Sequence, residues 1–265
     1  MSSDKPSVGI IGGTGVYDPE LFSDTSMRKV YTPYGDTSDL IQLGTLGDRR
    51  VAFIPRHGRE HRIPPHAINY RANIWAMREL GVTAILAPAA VGSLQEGYEP
   101  GHFVFVDQMI DRTRGRRDTF YDGGQVCHVS TADPVCPQIH ELLVDRAKAL
   151  DLEFHDKGTY ICIQGPRFST RAESELFRSW GASVIGMTMY PECTLAREAE
   201  ICYATIAMVT DYDCWMTGRV VDGEEVVRTM RENVDKVRDL IADVIPRIPE
   251  ERECPCGHAL DGAVM

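Results

Sequence analysis

The stretch 183–215 constrains the fold most, because two short apolar runs enclose one helical pattern. The runs cover 184–187 and 204–209, and the second run leads to Asp211 and Asp213. Short apolar runs on both sides of a helix predict two strands of an α/β sheet. Ligands of such proteins bind beyond the carboxyl ends of the strands, so the two aspartates mark a candidate site. Two core strands that end in ordinary polar loops would explain the same pattern.

The same alternation of strand and helix patterns continues along the chain. Further short apolar runs predict strands at 8–11, 40–43, 51–55, 84–87, 103–106 and 159–164. Helical spacing predicts helices at 67–80, 139–150, 171–180 and about 222–244. Thr170 with Glu173, and Asp222 with Glu225, have the spacing of capping boxes at the starts of the predicted helices 171–180 and 222–244. No linker or repeat interrupts this pattern, so we expect one α/β domain over 1–265 with a polar tail at 250–265.

Charge and hydropathy exclude several classes of protein. The 265 residues carry a net charge of −11, which argues against nucleic acid as a partner because phosphate backbones attract basic surfaces. The apolar runs are far shorter than a bilayer span, so no membrane partner is expected. The first residues, MSSDKPSVGIIGG, lack the basic and apolar regions of a signal peptide. A cytoplasmic location follows by default.

Two of the eight cysteines, Cys254 and Cys256, form a Cys-Pro-Cys motif in the tail. The other six are scattered through mostly apolar sequence, where free thiols behave as small hydrophobic groups. One such pair lacks a second pair at zinc-finger spacing, although His258 lies nearby, so no metal site is expected. A disulfide that involves this pair remains open, because it depends on the redox compartment.

Three loops after predicted strands have the composition of anion sites. Gly12, Gly13 and Gly15 surround Thr14, and clustered glycines let several backbone N–H groups point at one anion. The segment 56–66 holds three arginines and three histidines, and 88–93 is rich in small residues. Neither G-x-G-x-x-G nor a Walker lysine motif is present, which argues against a dinucleotide-binding dehydrogenase.

Taken together, these loops resemble the trimeric branch of the nucleoside phosphorylase superfamily, which contains purine nucleoside and methylthioadenosine phosphorylases. The resemblance is carried, in chain order, by GIIGGTG, PRHGREH, NYRANIWAMRELG, VGSL, DQMIDRT, FYDG, IQGPRFSTRAE, MTMYPE, LAREAEICYA and VTDYDCW. It implies a mixed, partly barrel-like central sheet flanked by helices, assembled as a homotrimer or a dimer of trimers. It also implies phosphorolysis, in which inorganic phosphate is a co-substrate and no cofactor is needed.

The resemblance assigns roles residue by residue. Phosphate would be held by Thr14, Arg56, His57, Thr188 and the backbone amides around Ala89 and Ala90. Met187 would pack under the ribose, Phe168 would pack on the base, and His128 would reach into a neighbouring subunit's site. Ser169 and Gly223 stand where the family tunes specificity. Methylthioadenosine relatives often have threonine in place of Ala89, so one side-chain donor is missing here, and a further histidine role could fall to His61 or His66.

The two aspartates give the chemistry and the choice of base. Asp211 is the candidate acid that protonates or hydrogen-bonds N7 of the departing purine. Asp213, on the same side of an extended strand by the i, i+2 rule, would help to raise the pKa of that acid. An ionised aspartate accepts from the amino group of adenine, whereas enzymes for 6-oxopurines commonly have asparagine at this position.

These features favour a phosphorylase for S-methyl-5'-thioadenosine. A broad-specificity enzyme, or one for methylthioinosine, inosine or guanosine, is the main alternative. A non-catalytic nucleoside-binding protein is the third possibility, but it gives no reason for Arg56, His57 and Thr188 to occur together.

Overall fold

The computed structural model describes residues 5–13, 22–216 and 223–265, and these fold into a mixed α/β structure with helices flanking a central sheet, as the sequence predicts. The strands are β1 Val8–Gly12, β2 Ser23–Arg28, β3 Ile41–Leu46, β4 Arg49–Pro55, β5 Ala84–Ser93, β6 Phe103–Phe105, β7 Gln108–Arg112, β8 Phe154–His155, β9 Thr159–Ile163, β10 Val184–Gly186 and β11 Cys202–Asp211. The helices are α1 Tyr70–Leu80, α2 Pro137–Ala149, α3 Arg171–Ser179, α4 Met189–Glu198 and α5 Gly223–Val244. No helix in the described ranges is long and apolar enough to cross a bilayer.

The sheet branches at β5. One path runs in the order β2-β3-β4-β1-β5-β10-β9-β7, while β11 pairs with β5 and carries β6 and β8 beyond it. β4, β1, β5 and β11 are parallel to their neighbours in this group, so their carboxyl ends lie at the same edge of the sheet. The polar segments that follow these strands are therefore brought together there.

β5 has different partners along its length. Residues 84–86 pair with β1, and only residues 92 and 93 pair with β10 on the path to β9. On its other side β5 pairs with β11 from Ala84 to Gly92. Among the described residues no strand pairs with the β1 side of β5 between residues 87 and 91. Within the described ranges, backbone groups on that side are therefore not used for strand pairing at the edge where the site is expected.

Local sequence signals explain how the helices begin and end. The Asn69 side chain accepts from the backbone N–H of Ala72 at the start of α1, and Gly81 ends this helix with a φ of 94°. The predicted capping box of Thr170 and Glu173 is present at the start of α3. At the second predicted box, Asp222 lies outside the described residues.

The predicted polar tail packs against the rest of the chain. Cys254 and Cys256 are buried, residues Pro255–His258 form a turn of 3-10 helix, and Val264 makes an antiparallel bridge with Cys127. The polar composition of 250–265 did not reveal this packing, because few apolar side chains carry it.

Candidate active site

Arg56 follows β4 directly and is a buried cation, with 2% of its surface exposed. Its Nε and Nη2 donate to the two carboxylate oxygens of Glu192 at 2.8 and 2.9 Å. Its remaining bonds go to the carbonyls of Ile11 (2.9 Å) and Pro88 (3.3 Å). Burial by itself lowers the pKa of Arg56, but the adjacent Glu192 carboxylate raises it above its ordinary value, so the guanidinium stays charged.

Glu192 lies in α4, and the sequence analysis did not identify it as a site residue. The Tyr203 hydroxyl donates to its Oε1 at 2.9 Å, and Thr205 Oγ1 donates to that hydroxyl at 3.1 Å. Tyr203 and Thr205 are both buried residues of β11. Their hydrogen bonds hold the Glu192 carboxylate in place, in addition to its two bonds from Arg56. Arg56 and Glu192 are 136 residues apart, so no local sequence signal pointed to this pair.

His57 is held in a single orientation next to Arg56. Its Nδ1 lies 2.9 Å from the carbonyl oxygen of Ile63, which can only accept, so Nδ1 carries the proton of the neutral ring and Nε2 is left as an acceptor. Burial first, and then the charge of Arg56, lower the pKa of His57 to about 4. The ring of His61 stacks on it with centroids 4.3 Å apart, whereas His66 is exposed on a 3-10 turn.

We expect the free energy of unfolding to fall as pH is lowered from about 6.5 towards about 4. Unfolded His57 takes up its proton near the upper value and folded His57 only near the lower one, so in this window protons favour the unfolded chain. The loss is at most roughly 3 kcal/mol. Urea unfolding at a series of pH values should show this component in the parent chain and in His66→Asn, but not in His57→Asn. The same pH dependence in all three would contradict the assignment.

Ala89 and Ala90 lie inside β5 rather than in a loop after it, which corrects the sequence expectation. They pair with Ala207 and Met208 of β11. The strand continues past Pro88 because it already has β11 as a partner on one side. The part of β5 around these two residues has no strand partner on its β1 side among the described residues, and Arg56 binds the adjacent Pro88 carbonyl there. The buried guanidinium therefore contacts the residue directly before the two whose amides are assigned to phosphate.

Thr188 and Met187 follow β10 at the start of α4. Thr188 is buried at the helix N-cap, and its backbone N lies 3.4 Å from the hydroxyl of Tyr160. Met187 is partly buried against Gly165, where a Cβ atom would come within 2.5 Å of its Sδ. A residue larger than glycine would clash here, so Gly165 lets the loop between β9 and α3 approach Met187 closely.

The aspartate pair lies at the end of β11, in a geometry that differs from the expected one. The strand ends at Asp211, and Asp213 begins a 3-10 turn with a φ of 50°, so the two residues are not on one face of an extended strand. Instead the backbone N–H of Asp213 donates to Asp211 Oδ1 at 2.8 Å, and Thr210 Oγ1 donates to Asp211 Oδ2 at 2.8 Å. The turn still keeps the carboxylates adjacent, because it folds Asp213 back onto Asp211.

Ser169 and Gly92 complete the surroundings of the pair. Ser169 Oγ lies 2.8 and 2.7 Å from the two carboxylate oxygens of Asp213, which is 4% exposed. A Cβ atom at Gly92 would come within 3.0 Å of Asp211 Oδ1 and 3.3 Å of Asp213 Cβ, so this glycine leaves room for both side chains. The predicted specificity residue Ser169 thus contacts the predicted base-reading residue Asp213.

The remaining predicted site residues lie at the periphery of the site or outside the residues that the structure describes. Phe168 is 47% exposed, and His128 is exposed while its backbone N–H donates to the carbonyl of Ala263 at 2.9 Å. α5 begins at Gly223. Thr14 lies outside the described residues. The structure therefore brings the buried Arg56–Glu192 pair and the aspartate pair to one sheet edge, and leaves two predicted contacts, Phe168 and His128, facing outward.

The chain is similar to known proteins over nearly its whole length. The family model for the phosphorylase superfamily matches residues 7–246. The S-methyl-5'-thioadenosine phosphorylase of Thermofilum pendens is 56% identical over 262 residues, which cover 99% of this chain and 100% of that protein. The protein of the same name from Saccharolobus solfataricus is 53% identical, with 99% and 98% covered.

Solved structures agree with this result. A methylthioadenosine phosphorylase from an antarctic soil metagenomic library superposes with a TM-score of 0.94 at 42% identity, covering 99% of this chain and 93% of that one. The methylthioadenosine phosphorylase of Schistosoma mansoni in complex with adenine gives a TM-score of 0.92 at 39% identity, with 98% and 97% covered.

Proposed function

Because this chain belongs to the phosphorylase superfamily, we propose that it catalyses the phosphorolysis of S-methyl-5'-thioadenosine. The chain is an enzyme, a pentosyltransferase, and the products would be adenine and 5-methylthioribose 1-phosphate. One observation carries the proposal. A buried Arg56–Glu192 pair and the unpaired side of β5 lie at the same sheet edge as Asp211 and Asp213. An oxyanion and a purine would thus meet on opposite sides of one ribose.

The phosphate half of the reaction depends on fixed charge. Phosphate would bind to the Arg56 guanidinium, the backbone amides of Ala89 and Ala90, and Thr188, with Thr14 as a further donor. Because Glu192 and two backbone carbonyls already hold Arg56, its orientation costs no rearrangement when phosphate arrives. The neutral His57 presents Nε2 as an acceptor, which suits a protonated phosphate oxygen. The bound anion would stabilise the positive charge that develops on the ribose.

The base half depends on the two aspartates. Asp211 would hydrogen-bond or protonate N7 as negative charge accumulates on the departing purine. The two donors to Asp211 and the Ser169 hydroxyl on Asp213 hold both carboxylates in place. An ionised carboxylate accepts from the adenine amino group, whereas it repels the O6 atom of hypoxanthine or guanine. Met187 would pack under the ribose and Phe168 on the base.

A panel of five nucleosides with and without phosphate tests this function. Methylthioadenosine, adenosine, methylthioinosine, inosine and guanosine are supplied one at a time, and free base is measured. We expect phosphate-dependent release of adenine, with the highest kcat/KM for methylthioadenosine. Faster release of hypoxanthine or guanine would favour the 6-oxopurine alternative. Binding of nucleoside without release of any base would leave only a binding protein.

The proposed assembly is a homotrimer or a dimer of trimers, in the cytoplasm. The outward positions of His128 and Phe168 support it, since both would need a neighbouring subunit or a bound base to become covered. The reaction would need no cofactor beyond phosphate as co-substrate. Light scattering gives the mass of the assembly directly, and a fully active monomer would contradict the trimer.

A further inference from the structure

Four cysteine side chains converge at the amino-terminal end of β11. Cys202 is the first residue of this strand, Cys136 is the N-cap of α2, and Cys254 and Cys256 come from the tail. All four residues are buried, and their sulfur atoms lie within 4.8 Å of one another, with Cys202 and Cys254 at 3.3 Å. In the described part of the chain this is the one group whose side chains converge in the manner of metal ligands.

The arrangement has the dimensions of a tetrahedral metal centre. A zinc ion bound to four thiolates has Zn–S distances of about 2.3 Å, which places the sulfur atoms roughly 3.8 Å apart. The 3.3 Å between Cys202 and Cys254 and the upper bound of 4.8 Å for all pairs lie on either side of that separation. The Cys202 sulfur lies next to that of Cys254 in the tail. The four sulfurs thus form one compact group from three separate parts of the chain, namely the start of α2, the start of β11 and the tail. Four protein ligands leave no open position, which is typical of a structural site.

A buried cation stands beside the sulfurs. Arg197, at the end of α4, is 8% exposed, and its Nη1 lies 3.5 Å from Cys256 Sγ. Its Nη2 donates to the backbone carbonyl of Asp133, which fixes the guanidinium in place. Four thiolates and one Zn²⁺ together carry a charge of −2, so a nearby positive donor lowers the cost of burying them.

We propose that Cys136, Cys202, Cys254 and Cys256 bind one Zn²⁺ per chain and so fasten the tail to β11. The sequence analysis expected no metal because Cys-Pro-Cys lacked a second pair, and the fold supplies that pair from Cys136 and Cys202. Asp211 is nine residues further along β11, or about 30 Å at the rise of an extended strand. The proposed zinc centre is therefore structural. Whether zinc binds there does not depend on whether the proposed phosphorolysis is correct.

Metal analysis of the purified full-length chain, produced in zinc-containing medium under reducing conditions, tests the site. We expect one zinc per chain after exhaustive gel filtration. Cys256→Ser should lose the ion, whereas Cys193→Ser, which alters another buried cysteine outside the group, should retain it. Equal zinc contents in both variants would overturn the assignment.

Two further measurements keep the test decisive if Cys256→Ser does not fold. The parent chain produced in cobalt-containing medium should show the intense visible and sulfur-to-metal charge-transfer bands of a tetrahedral thiolate centre. After unfolding in a chelator without reductant, all eight cysteines should react with iodoacetamide. A metal-free parent chain, with either eight reactive thiols or only four because two disulfides have formed, would overturn the proposal.

Discussion

Arg56→Lys is expected to lower kcat/KM for phosphate by about two to three orders of magnitude. Lysine keeps the positive charge but has no planar fork, so it cannot bind both oxygens of Glu192 and the carbonyls of Ile11 and Pro88 together. The charge would then lose its fixed direction towards phosphate. Initial rates against phosphate concentration, at saturating methylthioadenosine, measure the effect.

The matched control is Arg62→Lys, in the same loop, where the side chain is 73% exposed and pairs with the equally exposed Glu60. It should leave both kcat and KM unchanged. Tyr203→Phe, which removes one hydrogen bond to Glu192 but keeps the ion pair, should fall between the two. Thermal unfolding of each variant separates a loss of activity from a loss of folded protein. An Arg56→Lys enzyme that is fully folded and as active as the parent would exclude Arg56 from the phosphate site.

Asp211→Asn is expected to reduce turnover of methylthioadenosine and adenosine by about 10²- to 10⁴-fold. The amide cannot supply a proton to N7, and its NH₂ group would face the amino group of adenine. Turnover of inosine and methylthioinosine should fall much less, because the same NH₂ group can donate to their O6 atom. The ratio of kcat/KM values for the two classes, measured with the parent and the variant, gives the change in base preference.

Each nucleoside class serves as the control for the other in this experiment, since loss of folding would reduce both equally. An equal fall in both classes, in a variant whose thermal unfolding matches that of the parent, would therefore contradict a role for Asp211 in reading the base. Asp213→Asn tests the neighbouring carboxylate. Ser169 can still donate to the new amide oxygen, so the turn should persist while the charge is removed. A shift in preference with Asp213→Asn alone would move the base-reading role to that residue.

Local signals were sufficient for much of the fold. The capping box of α3 was predicted because it involves residues only a few positions apart. β2 was missed because all of its residues are exposed and show no apolar alternation. The second half of β5 was interpreted as a loop because Pro88 and small residues are unusual in strands, although pairing with β11 keeps it extended.

Long-range partners account for most of what the sequence did not reveal at the sites. Glu192 binds Arg56 across 136 residues, and Cys202 meets Cys254 across 52, so no spacing rule applies to either pair. The position of Asp213 depends on a backbone turn with positive φ, which is uncommon for a residue other than glycine. The resemblance nevertheless named residues that the structure brings to one edge, because it draws on a whole set of loops at once.

β5, which separates from β1 after Leu86, also sets the distance between the proposed phosphate-binding and base-binding groups. Ala89 and Gly92 stand on the same strand, about 10 Å apart by its rise, and β11 supports both. The distance between the proposed phosphate-binding groups at Ala89 and the aspartates beside Gly92 is thus fixed by the geometry of one strand. It does not depend on the closing of two lobes. New substrate preferences would then arise by exchange of loop side chains such as Ser169, while the strand that spaces them stays the same.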